Sequence, residues 1–156
     1  PHDQSSAASD VYKRQSHIMS NDVILLNSIR DGRCDVGISN HYYLARELAE
    51  DPNYPVGLVW ANQNDRGVHV NISGAGVLAN ADNPELAQQL LEWLATDGQN
   101  LFVDGNNEYP VNPNIAPETL IATEFGETFV RDSTNASEWG LLNADAVRLL
   151  DEASYE

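Results

Sequence analysis

The chain has 156 residues, 42% hydrophobic and 21% charged, which is enough apolar material for one ordinary domain core. Its 24 acidic residues against 8 Lys and Arg leave a formal net charge of −16. That charge repels phosphate backbones and anionic lipid, so nucleic acid is excluded as an expected partner. No apolar run approaches the roughly 20 residues of a membrane span, so no membrane insertion is expected. The lone Cys34 offers neither an internal disulfide nor a thiol pair for zinc.

Residues 1–20 carry clustered Ser, Asp and Gln without apolar periodicity. Ser5 to Gln15, SSAASDVYKRQ, resembles adapter-derived sequence, and Ser16 to Met19, SHIM, resembles a cloning junction. Neither carries the hydrophobic region of a secretory signal. The expectation is a non-native or disordered leader over 1–20 and a fold over 21–156 whose natural upstream portion is missing.

From Val23 to Ile29 the apolar spacing predicts a short helix stopping at Asp31-Gly32. Asp35 to Ser39 reads as a short buried strand, and Asn40 stands where a helix N-cap belongs, ahead of a helix from His41 to Leu48. Val56–Trp60 and Val68–Ile72 read as two more strands, separated by the polar turn cluster Asn62–Gly67. Asp82-Asn83-Pro84-Glu85 opens the clearest helix, with apolar residues at Leu86, Leu90, Trp93 and Leu94. A second helical piece over Gly98–Val103 is expected to end at Asp104-Gly105. Prolines make Asn106–Pro113 extended or turn-like, and a short helix can start at Pro117. Ser137 is the expected cap of a last helix with an apolar stripe at Trp139, Leu142, Ala146, Leu149 and Leu150. Strands alternating with helices argue for an α/β fold.

The most unusual constellation is Asn40-His41-Tyr42-Tyr43, where a strand would pass into a helix. Ligand-binding groups collect at such places in open α/β sheets. Adjacent tyrosines on a helix point about 100° apart, so the pair reads either as core plus surface or as two phenols sharing a site. A phenol, with its pKa near 10, serves divalent metals poorly, whereas a hard trivalent cation displaces its proton and holds phenolate oxygen. Arg46 follows Tyr42 by four residues and Tyr43 by three; it can stabilise either phenolate or pair with Glu50. His41 can join such a shell or be a polar residue of the first turn. The four histidines show no zinc spacing, and no P-loop, GxGxxG or GxSxG motif occurs, so no catalytic residue is assigned and an enzyme is not expected.

Several segments then agree in order with one family. Asp31 to Asn40, DGRCDVGISN, runs into HYYLAREL; Ala61 to Gly76, ANQNDRGVHVNISGAG, follows; then Asn83 to Leu94, NPELAQQLLEWL; Asn106 to Val111, NNEYPV; and Ser133 to Ala146, STNASEWGLLNADA. Over about residues 21–154 the chain resembles the C-terminal half of the ferric-iron-binding periplasmic proteins that serve ABC transporters. The resemblance implies an α/β periplasmic-binding-protein-like fold of type 2, present in part, with the N-terminal lobe largely missing. It also implies Fe3+ bound in the cleft between lobes, Tyr42 and Tyr43 as phenolate ligands, delivery to a transporter permease and a periplasmic location. Further ligands would come from the missing lobe. Tyr109 is an additional phenolate candidate, set against a structural role in a crossover turn at Pro110. Asn71 and Ser73 either line the cleft or serve as turn residues. Much of Val68–Asn107 would return to the first lobe's sheet, leaving its strands without partners and predicting marginal folding or association. The competing readings are a binding protein for another small molecule or anion, and an acidic interaction domain without ligand.

Overall fold

The computed structural model describes residues 19–153, so the expectation for the leader falls almost wholly outside the described residues. Among the described residues six helices follow in chain order: α1 (Asp22–Arg30), α2 (His41–Glu50), α3 (Pro84–Ala95), α4 (Gln99–Asn106), α5 (Thr119–Phe125) and α6 (Ala136–Glu152).

α1 begins on Asn21, whose side-chain oxygen accepts from the Ile24 N–H at 2.9 Å, and ends at Asp31 with Gly32 at φ +70°. It turns Leu26 inward together with Ser28, whose buried hydroxyl is satisfied by the Ile24 carbonyl at 2.8 Å. α2 contributes Leu44, Ala45 and Leu48, and α5 contributes Ile121 and Phe125. These side chains and Tyr54 form one core, with Val56, Leu58 and Trp60 packed against it. Burying each large apolar side chain stabilises by about 1.5–3 kcal/mol, which makes the α1–α2–α5 group the firm part of the molecule. α3 and α4 pack on each other, and Val103 is buried there with Gln99, whose side-chain oxygen accepts from the Asn112 N–H at 2.7 Å. α6 buries none of its residues, and Leu141, Leu142, Val147, Leu149 and Leu150 stand exposed along it.

The helices lie near where the sequence places them, with shifts at their ends: the short helix expected from Pro117 runs from Thr119 to Phe125. α4 runs through Asp104-Gly105 and stops at Asn107, which takes the left-handed conformation at φ 58° in glycine's stead. α6 is capped by Asn135, whose side chain accepts from the Ser137 N–H at 3.0 Å, rather than by Ser137 itself.

The expected strands are the larger difference. Asp35–Ser39, Val56–Trp60 and Val68–Ile72 are irregular segments, and among the described residues the backbone pairs at one isolated parallel bridge, Val68 with Arg131. The supposedly buried strand is open, with Val36 77% and Ile38 97% exposed. A strand, unlike a helix, satisfies its N–H and C=O groups only through a neighbour, so an apolar run without a paired backbone beside it does not become one. The described residues therefore form helices and irregular segments with one isolated bridge, and the α/β class read from the sequence is not seen in them.

The bridge is nevertheless well made. Val68 donates to the Val130 carbonyl at 2.9 Å and accepts from the Asp132 N–H at 2.8 Å. The Gln63 side-chain amide repeats this pairing on one residue, donating to the Val130 carbonyl at 2.9 Å and accepting from its N–H at 2.7 Å. Gly67, at φ +91°, lies against the same segment; a Cβ there would meet the Arg131 carbonyl carbon at 2.5 Å, so only glycine fits.

Candidate functional site

The start of α2 is held from outside the helix. Asn40 is extended and makes no side-chain cap bond. Instead Asp22, the first residue of α1, accepts from the Asn40 N–H at 3.2 Å and from the Ser39 hydroxyl at 2.7 Å. One carboxylate thereby fixes the chain as it enters the turn that carries the two tyrosines.

Helical geometry then distributes the side chains. At about 100° per residue, His41 falls on the same stripe as Leu44, Ala45 and Leu48, while Tyr42 and Tyr43 fan out to one side. Arg46 falls between the two phenols, one turn on from both. The Tyr42 and Tyr43 ring centroids are 4.6 Å apart with planes inclined by 42°. The Arg46 guanidinium carbon lies 5.4 Å from the Tyr42 centroid and 5.5 Å from that of Tyr43, within cation–π range of each. With the described residues Arg46 forms no ion pair, so the alternative of a Glu50 partner is not the arrangement adopted. Both tyrosines are half-buried. Burial raises the pKa of the Tyr42 phenol, and the Tyr43 hydroxyl and the Asp22 and Glu108 carboxylates raise it further. Without a cation to displace it, the Tyr42 proton stays on at neutral pH.

His41 turns into a box of rings. Its imidazole centroid is 5.2 Å from Tyr109, 5.9 Å from Trp60, 6.1 Å edge-on from Phe125 and 5.8 Å edge-on from Tyr42. Its Nε2 is buried without a hydrogen-bond partner among the described residues. Burial lowers the imidazole pKa, an effect partly offset by the Asn107 backbone. The box is closed by Phe129, stacked on Trp60 at 4.3 Å and edge-on to Tyr109 at 5.1 Å. Two polar contacts lock it: Trp60 Nε1 donates to the Phe125 carbonyl at 3.0 Å and Tyr109 Oη to the Gly126 carbonyl at 2.7 Å. Burial pushes the Tyr109 phenol up to about 12.

The structure thus gathers Tyr42, Tyr43 and Arg46 into one group, with His41 and Tyr109 together in the box below it. Asn71 and Ser73 are exposed on the segment after the bridge. Among the described residues no cluster of three or more His, Cys, Asp or Glu side chains is placed to hold a metal. Asp22, Trp60, Phe125 and Phe129 were not legible as part of this neighbourhood. Trp60 and Phe125 lie far along the chain from His41, and an acidic residue at a helix start ordinarily signals only a favourable dipole contact.

No family model matches the chain. It is 39% identical over 145 residues to iron uptake protein A2 of Synechocystis sp. (strain ATCC 27184 / PCC 6803 / Kazusa), covering 87% of this chain and 41% of that protein. It is 31% identical over 141 residues to the major ferric iron-binding protein of Neisseria meningitidis serogroup B, covering 85% of this chain and 40% of that one. The Fe(3+)-binding periplasmic protein of Serratia marcescens is 30% identical over 104 residues, covering 60% of this chain and 30% of its own length. The chain is therefore a homologue, along most of its length, of iron-uptake and ferric-iron-binding proteins, and spans about two fifths of the length of the first two relatives.

Proposed function

We propose that this chain is part of a periplasmic carrier that binds Fe3+ through the phenolates of Tyr42 and Tyr43 and hands it to an ABC transporter permease. The observation that carries the reading is the pair of half-buried phenols, 4.6 Å apart between ring centroids, under one guanidinium. Ferric iron is the hard cation able to displace phenolic protons near neutral pH, and Arg46 offsets the negative charge that two phenolates bring. The homologues' names agree in the cargo and, for one of them, in the periplasm.

The protein works by binding rather than catalysis. Two phenolates fill part of a ferric coordination shell, and the remaining ligands come from the portion of the longer relatives that this chain does not span. In that setting the irregular segments around Val36, Val59 and Val68 pair into the sheets of a two-lobed α/β fold. Tyr109 is the further phenol to consider, although its hydroxyl is given to the Gly126 carbonyl.

A ferric-citrate titration followed by visible absorbance tests the reading. Phenolate-to-iron charge transfer gives a saturable colour, which Tyr42→Phe with Tyr43→Phe abolishes while circular dichroism stays unchanged. Saturable colour that survives in the folded double variant overturns the assignment.

A further inference from the structure

We infer that Asp22 is a positioning residue of the tyrosine pair: from α1 its carboxylate closes the uncapped first turn of α2, and so keeps that helix wound through Tyr42 and Tyr43 and in register with Arg46 one turn on. The inference rests on the phenolate reading for its link to iron, and on hydrogen bonds alone for its link to the turn.

The first turn of a helix is the part that frays, because its N–H groups have no carbonyl one turn back. Tyr42 and Tyr43 are the second and third residues of α2 and lie in that turn, whereas Arg46 lies in the next. Unwinding the first turn therefore moves the phenols relative to the guanidinium, which a rotation of the whole helix does not. Little within α2 resists it. Asn40 makes no side-chain cap bond, the turn holds no acidic residue, and the Tyr43 N–H reaches the Asn40 carbonyl at 3.3 Å. In a capping box the third residue of the helix reaches back to accept from the N-cap N–H, a part played by Glu or Gln. Here that residue is Tyr43, and the part is filled from another helix. Asp22 Oδ1 accepts from the Asn40 N–H at 3.2 Å and from the Ser39 hydroxyl at 2.7 Å. All three residues are half-buried, so water competes less for these bonds than it would on an open surface. The chain leading into the turn offers no substitute, since Val36 and Ile38 are exposed and make no backbone hydrogen bond among the described residues. Asp22 is available for this work because α1 is capped by its neighbour, Asn21.

Three variants separate this role from plain support of the fold. Asp22→Ala removes both bonds, Asp22→Asn keeps an accepting oxygen without the charge, and Asn21→Ala removes the cap of α1 while leaving Asp22 in place. The first readout needs no iron: the rate of amide hydrogen exchange at Tyr43 relative to that at Leu48, toward the far end of the same helix. Asp22→Ala raises this ratio about tenfold, the order of a lost helix cap, while Asp22→Asn and Asn21→Ala keep it near the wild-type value. The second is ferric-citrate titration, in which Asp22→Ala weakens binding about tenfold, the low end for residues that orient a metal's ligands, and the other two bind as the wild type does. An unchanged exchange ratio in Asp22→Ala overturns the inference. So does a raised ratio with ferric binding intact, an Asn21→Ala variant that matches Asp22→Ala in either readout, or failure of Asp22→Asn to restore both. If circular dichroism shows that Asp22→Ala does not fold, Ser39→Ala takes its place, removing the shorter of the two bonds. It raises the ratio in the same direction by a smaller factor, and no rise overturns the inference. Failure of the wild-type chain to colour at all strikes the phenolate reading, while the exchange ratio still decides whether Asp22 holds the turn.

Discussion

Tyr109 and Gly126, seventeen residues apart in sequence, are joined by a 2.7 Å hydrogen bond from the phenol to the backbone carbonyl at the end of α5. The bond ties the chain after α4 to the segment that leads into the Val68–Arg131 bridge. Removing it with Tyr109→Phe keeps the ring in the box and leaves the half-buried Gly126 carbonyl without this partner. The expected loss is about 1 kcal/mol in urea unfolding.

The same phenol makes stability depend on pH at the alkaline end. Its pKa is held up at about 12 by burial, above the ordinary 10.0, so the folded state favours the protonated form. That contribution is complete below pH 10.0 and is lost as pH rises from there through about 12. Urea midpoints measured across this window fall for the wild-type chain and fall less for Tyr109→Phe. Parallel curves would remove Tyr109 as the cause.

Iron binding should depend on pH in the opposite sense. Each phenolate formed releases a proton, and Tyr42 starts from a raised pKa, so affinity falls as pH is lowered from about 8 to about 5. Reduction to the ferrous state, a softer and less highly charged ion, should discharge the site. A ferric affinity unchanged over that pH range would count against phenolate ligation.

Arg46→Met keeps most of the aliphatic stem of the side chain and removes the charge shared by both rings. Ferric uptake should weaken by about tenfold, with a stability change of at most about 1 kcal/mol for an exposed cation–π contact. Arg46→Lys should recover part of the affinity, as a point charge replaces the planar group. Ferric-citrate titration and urea unfolding of the three forms separate the two effects.

Gly67→Ala tests the bridge. The left-handed backbone and the approach to Arg131 leave no room for a Cβ, so the substitution should cost at least about 1–3 kcal/mol and break the Val68 pairing. Slowed amide exchange at Val68 and Asp132 in the wild type, lost in the variant, is the check.

Ile121, fully buried on α5 in the core shared with α1 and α2, provides the comparison for an ordinary core defect: Ile121→Ala should cost about 2–5 kcal/mol in urea unfolding. It should leave the pairing of Val68 with Arg131 intact in any molecule that remains folded.

The sequence by itself determined the helices and the tyrosine pair. A helix satisfies its hydrogen bonds within one stretch of chain and announces itself by start signals and a 3.6-residue stripe, as at Pro84 and Leu86, Leu90, Trp93 and Leu94 in α3. The i+3 and i+4 spacing of Arg46 from Tyr43 and Tyr42 likewise follows from local geometry, so their meeting could be read in advance as one of two outcomes. What only tertiary structure decided are the relations between distant stretches. Val36 and Ile38 carry a strand's composition, yet no partner backbone lies beside them among the described residues, and pairing cannot be read from one strand alone. Asp22 reaching Asn40, Gln63 standing in for a rung against Val130, and three stretches of chain closing a ring box around His41 depend on which surfaces the fold brings together. Side chains so far apart in sequence leave no periodicity to detect, because their contact is set by packing and not by the spacing of residues along the chain.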